Sequence, residues 1–172
     1  MNKTIVAAMA SGMLLAAASG SLGQGTRHSF SFNAVNISGA PTGAVTLAGG
    51  GVYDIGSGFQ QGGGAFRCTQ DITQGPLAGL RAGEGVRWAT VTLVPSTGFR
   101  CGSDAGEPLK TATTDGDTVV LQAIFFRQGD GNNPSFTAKV FVSASDEDPD
   151  APGVQNVWIQ GVGCAEASVN VR

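Results

Sequence analysis

The chain has 172 residues, of which 13% are charged and 27 are glycine, against a usual charged share of about 25%. Ten Lys and Arg stand against 13 Asp and Glu, a formal charge of −3, and no basic cluster occurs, so neither a nucleic-acid binder nor an adherent of anionic membrane surfaces is indicated. A hydrophobic share of 41% with nine Phe excludes an intrinsically disordered chain.

The first element is a leader. Lys3 supplies a positive start, residues 5–18 form an apolar run of Ala, Met, Leu and Val, and Ser21 and Gly23 put small residues at the −3 and −1 positions of a cleavage site. This is the pattern of a secretory signal peptide. Fourteen helical residues reach about 21 Å, short of the ~30 Å hydrocarbon layer of a bilayer. Cleavage is expected after Gly23, with Ala18 as the alternative, so residues 1–23 are read as signal peptide and 24–172 as one domain. Loss of Lys3 takes the charge from −3 to −4. No membrane span is expected in the mature chain, which is placed outside the cytoplasm: secreted, periplasmic or extracellular.

The remainder reads as strands. From Arg27 to Val35, Phe30 and Phe32 alternate with Ser29, Ser31 and Asn33, the period of a half-buried strand. Val45 and Leu47 open a second, which Gly49, Gly50 and Gly51 are expected to break with a bulge before it resumes at Val52. Residues 62–68 form a third. Residues 86–94 form a fourth, with Trp88 on one face and Val91 and Leu93 on the other. Phe99 to Cys101 is expected to continue that strand beyond Pro95, since proline interrupts a ladder. Residues 118–128 are apolar at successive positions, as in a strand covered on both faces. After a Gly/Asn loop at 129–134, residues 135–143 carry Phe136, Ala138, Val140 and Val142 on one face and should pair with the preceding strand. Strands at 154–162 and 167–171 finish the chain. One or two helical turns are allowed only within residues 72–80. The fold expected is all-β, an antiparallel barrel of about eight strands, with a two-sheet β-sandwich as the alternative.

Motifs of catalysis are absent from the sequence. It contains no G-x-S-x-G and no G-x-x-x-x-G-K-[ST], and its single His28 rules out both H-E-x-x-H and a three-His zinc site within one chain. No catalytic residue is assigned, no cofactor is called for, and no partner is indicated. The leading reading is an exported, non-catalytic β domain with no assigned molecular role, and three alternatives stand beside it. Trp158, Trp88 and Tyr53, with Asn156 and Gln160 beside Trp158, are candidates for a ligand- or carbohydrate-binding face. Large aromatics also dominate β cores, which is the competing reading. Asp146, Asp148 and Asp150 alternate as oxygen ligands do in the first half of a calcium loop, but Ala151 and Val157 stand where that loop needs Gly and Glu. Ca²⁺ therefore remains a candidate only in some other loop geometry, against a plain acidic turn. A hydrolase built on two carboxylates is the third reading, drawing on Glu84, Glu107, Glu147 or Glu166.

Cys68, Cys101 and Cys164 allow three pairings, and an odd count in an exported chain leaves one thiol over. The phrases GGGAFRCTQD, GPLAGLRAGEGVRW and PGVQNVWIQGVGC resemble a family of small exported bacterial proteins that carries no assigned activity. The resemblance implies a fourth Cys near Leu80 as partner of Cys68. This chain lacks it, which leaves Cys101–Cys164 as the implied bridge.

Overall fold

The computed structural model describes residues 26–172 apart from Ala105, Asp130, Asn132, Pro134 and Ser135. The leader, both cleavage positions and part of the 129–134 loop lie outside the described residues. Eleven strands follow in chain order: β1 (Arg27–Gly39), β2 (Ala44–Asp54), β3 (Phe59–Gln70), β4 (Arg87–Leu93), β5 (Ser96–Phe99), β6 (Lys110–Thr113), β7 (Thr118–Phe126), β8 (Phe136–Ser143), β9 (Val157–Ile159), β10 (Gly163–Ala165) and β11 (Ser168–Val171). No helix occurs among the described residues, and residues 72–80 are a tight turn instead, with the Ile72 N–H on the Leu80 carbonyl at 2.8 Å.

Alternation sets the inner face. Phe30, Phe32 and Ala34 of β1 are buried while Ser29, Ser31 and Asn33 are exposed, and β2 and β3 extend the meander. Nine strands form one antiparallel sheet in the order β10-β9-β8-β7-β4-β3-β2-β1-β11, and β10 pairs again with β1 (Ser38↔Cys164, Gly39↔Gly163), so the hydrogen bonding returns on itself. β11 lies on the same edge of β1 farther along, from Phe30↔Val171 to Asn33↔Ser168. A ring leaves few strand edges open to other chains. Its inner face is filled by Phe30, Phe32, Leu47, Phe66, Trp88 and Phe125 with smaller residues around them, and the turn at 72–80 adds Ile72, Leu77 and Leu80. The hairpin expected between the two most apolar segments is present, with β7 and β8 antiparallel and Phe125 opposite Phe136.

Three local expectations need correction. The glycine triplets do not interrupt their strands: Gly49, Gly50 and Gly51 pair one for one with Gly64, Gly63 and Gly62. A Cβ on Gly64 would overlap the Ala48 carbonyl oxygen, and one on Gly49 would sit 2.9 Å from the Trp88 ring. Glycine is therefore required by close packing, and the irregularities of these strands fall elsewhere, at Ala44/Val45 and Ala34/Ile37. In β4 a register shift between Thr90 and Thr92 returns Leu93 to the side of Trp88 and leaves Val91 exposed; an extra residue flips the alternation. Finally, residues 96–99 do not prolong β4. They pair with β6 as a separate two-stranded sheet, β5–β6, which covers the outside of the ring over Val120, Phe141 and Trp158 and adds Phe99 and Ala112 to a second apolar cluster.

Candidate functional site

The aromatic candidates are placed apart. Trp88 and Tyr53 are buried on the inner face of the ring, where the Trp88 Nε1–H donates to the Ala48 carbonyl at 3.0 Å and the Tyr53 hydroxyl to the Asp115 carbonyl at 2.8 Å. Burial, reinforced by the charges of Asp115 and Asp117, pushes the Tyr53 hydroxyl up to about 12. Trp158 lies on the opposite face, only 5% exposed, stacked on Phe141 and tilted against Phe99, with its Nε1–H on the Arg100 carbonyl at 3.1 Å. The Asn156 side chain clamps both backbone groups of Ala167, and Gln160 Oε1 accepts the Lys139 N–H. Each of the five has a structural partner, and no face gathers them. The indoles sit where transfer from water stabilises the fold most.

Charge gathers elsewhere. A cavity of about 810 Å³ opens beside the β5–β6 flap between residues 101–110 and the acidic loop 146–155. That volume is in the range of small-molecule sites. Its wall carries Asp104, Glu107, Asp148, Asp150 and Glu166 against Lys110. Asp148 is 1% exposed; its Oδ1 accepts from the Lys110 ammonium, and its Oδ2 has no hydrogen-bond partner. The same ammonium lies 3.3 Å from Asp150 Oδ2. A buried carboxylate is tolerable only when compensated, and here one oxygen is left buried and unpaired on a residue of the cavity wall.

Local hydrogen bonds explain how the acids are posted there. Asp146 Oδ1 accepts the N–H of Asp148 at 3.0 Å and of Gln155 at 2.9 Å, stitching the two ends of the acidic loop. The Asp146, Asp148 and Asp150 side chains thus diverge: one braces the backbone, and two flank Lys110. Glu107 accepts the Cys101 N–H with Oε1 at 2.8 Å and the Gly102 N–H with Oε2 at 2.7 Å, closing the loop before β6. Among the other glutamates, Glu84 accepts the Arg81 N–H, Glu147 accepts the Thr118 hydroxyl, and Glu166 is an exposed wall residue. A carboxylate oxygen of Glu107, one of Asp148 and the Cys101 sulfur lie within 4.8 Å of one another.

That sulfur belongs to the bridge implied by the resemblance. Cys101 and Cys164 are joined, Cα atoms 4.9 Å apart, tying the flap to β10 across the cavity wall. Cys68 is the free thiol, buried on the inner face. Burial, then the charges of Glu84 and Asp71, push it up to about 12, so it stays protonated and unreactive at neutral pH. His28 stacks on Tyr53 at 5.1 Å, away from the acidic wall.

Sequence reasoning missed Lys110 as the partner of Asp148, Glu107 as its near neighbour and Glu166 as a residue of the same cavity wall. Lys110 stands 38 residues from Asp148, and no spacing rule relates them; the one local signal was the alternation of Asp in 146–150. Comparison with protein-family models, with curated proteins and with solved structures finds no match to this chain.

Proposed function

We propose that this chain is an exported, non-catalytic binding domain: an eight-stranded antiparallel barrel with a solid interior that takes a small ligand in the side cavity beside the β5–β6 flap. The observation that carries the reading is a cavity of about 810 Å³ whose wall includes Asp148, 1% exposed, ion-paired to Lys110 through one oxygen and unpaired at the other. A buried acceptor without a donor costs about 1–3 kcal/mol, and the fold carries that cost on a residue of the cavity wall. The buried aromatics argue against sugar stacking as the mode of recognition, because Trp88 and Tyr53 are sealed and Trp158 is only 5% exposed. The disulfide and the apolar leader with Lys3 support export.

Hydrolysis by a carboxylate pair is the second reading, favoured by the approach of Glu107 to Asp148. Against it, both Glu107 oxygens are already engaged by backbone N–H groups, which leaves that carboxyl poorly placed to move a proton.

Binding is tested by a thermal-shift survey of charged and neutral solutes, followed by calorimetry on wild type and Asp148→Asn. The expected result is a ligand whose affinity depends on Asp148; ligands indifferent to the substitution would remove the cavity from the reading. Export is tested by intact-mass analysis of secreted protein, with a mature terminus expected at Gln24 or Ser19.

A further inference from the structure

We propose that the Cys101–Cys164 disulfide is a redox latch: it pins the loop between β5 and β6 as one wall of the side cavity, and a dithiol reductant frees that loop while the ring stays folded. Three observations converge on it.

The first is where the bridge ends. Cys164 lies on β10 at the seam that closes the ring, opposite Ser38 of β1, with Gly39 opposite Gly163. Cys101 sits at the start of the loop 100–109, and its carbonyl rests so closely on Gly39 that a Cβ there would overlap the oxygen. The bridge therefore fastens the flap to the seam of a sheet that it joins by no ladder. The second is how little else holds the loop. Its described residues contain no strand or helix, and most of them are exposed. The Arg100 carbonyl accepts from the Trp158 indole at 3.1 Å. The other hydrogen bonds among the described residues of the loop stay within it: Glu107 takes the N–H groups of Cys101 and Gly102, and its own N–H donates to the Asp104 carbonyl at 3.1 Å. Segments with few outward bonds and much exposed backbone open at low cost. The flanking strands are held differently, with Phe99 and Ala112 buried in the layer beneath them, so the loosening stops there.

The third is a contrast between sulfurs. Cys101 and Cys164 are 8% and 6% exposed where the flap layer meets the cavity, and both line its wall, whereas Cys68 is 1% exposed in the interior of the ring. A thiolate entering the cavity meets the bridge and not the free thiol, and access is one of the factors that set the rate of exchange. The thiolate of a dithiol attacks the sulfur of Cys101 or Cys164. The S–S bond breaks as a mixed disulfide forms, and the departing protein sulfur takes up a proton. The second thiol of the reagent then loses its proton and displaces the remaining cysteine, which is protonated in turn as the reagent closes into its own disulfide. Two electrons and two protons pass to the protein, and Cys68 takes no part. In an oxidising compartment the wall is fixed; reduction makes it mobile.

The test treats native protein with dithiothreitol in the absence of urea, caps the new thiols with iodoacetamide, and follows the loop by limited trypsin digestion and hydrogen exchange with mass analysis. Two thiols per chain, Cys101 and Cys164, are expected to label, with Cys68 unlabelled as the internal sign that the ring has stayed closed. Cleavage after Arg100, and exchange of the Cys101 and Gly102 N–H groups, should rise at least ~10-fold, while exchange in β7 and β8 stays unchanged. Cys101→Ser with Cys164→Ser should reproduce the loosening without reagent. Reduction that occurs only where urea unfolds the ring, labelling of Cys68 together with the other two, or a reduced loop as protected as the oxidised one overturns the latch. The latch does not depend on the binding reading: if the loop loosens while no solute binds the cavity, that reading fails and the latch stands.

Discussion

Leu121 and Phe125 of β7 join an interior closed by the ring, whereas Val120 of the same strand lies in the layer under the flap with Phe99, Phe141 and Trp158. The interior is almost wholly apolar, and its Trp88 indole N–H and Tyr53 hydroxyl are matched to backbone carbonyls, with the buried Gln60 Oε1 of β3 unpaired. The flap side holds the disulfide, the buried ion pair, the unpartnered Oδ2 and the cavity. The difference teaches a division of labour. A densely packed interior tolerates neither voids nor unpaired polar groups, so chemistry that needs charge and open space sits outside it, fastened by a covalent bridge.

The largest effect expected is interior. Trp88→Ala should cost about 5 kcal/mol, the upper end for such a truncation, because the Ala48 carbonyl also loses its donor; urea denaturation measures it. Ligand affinity per folded molecule should stay unchanged, and a shift in both would erase the division between the two regions. Next comes the bridge. Reducing Cys101–Cys164, which closes a 63-residue separation, should cost about 4 kcal/mol in the chain-entropy account, read as the difference between urea titrations with and without dithiothreitol. In unreduced native protein no thiol should label, and one per chain, Cys68, should label after unfolding.

Asp148→Asn should destabilise by about 2–3 kcal/mol, below the range for a fully buried pair, because Lys110 is 17% exposed and partly solvated. Replacing the pair together, Lys110→Met with Asp148→Leu, should restore stability to within about 1 kcal/mol while abolishing ligand binding. That outcome would separate the pair's role in binding from its role in folding more sharply than either single change. Gly64→Ala should cost about 2 kcal/mol as overpacking against the Ala48 carbonyl, while Gly106→Ala on the flap side, where a Cβ meets nothing, should stay within about 0.5 kcal/mol.

The smallest effect at neutral pH is alkaline. Cys68 and Tyr53 are both raised to about 12, so the folded state keeps protons that the unfolded chain releases from about pH 9 and 10 respectively. Stability is full below those values and declines as pH rises toward 12. Cys68→Ala should flatten the first part of that decline in denaturation midpoints measured from pH 8 to 11, and an unchanged slope would contradict the assignment of Cys68 to the interior.

What the sequence determined by itself was whatever depends on neighbours along the chain. The period-two pattern at Phe30 and Phe32, the doubly apolar run of β7 and the face shared by Ala138, Val140 and Val142 were legible, and with them the all-β class and the β7–β8 hairpin. An alternating strand advertises its own buried face because side chains on a pleated backbone point alternately to either side. The cysteine count and the resemblance together pointed to Cys101–Cys164. Tertiary structure alone decided the rest. The pairing of one glycine triplet against another, the register shift that carries Leu93 to the side of Trp88, and the folding of residues 96–113 into a flap are outcomes of strand register, which couples residues far apart. Asp148 looked like part of an acidic turn. It became a buried partner of Lys110 only because the closed ring and the bridged flap bring residue 110 against residue 148. The free energy of a buried charge is set by what surrounds it in space, and no local pattern encodes that.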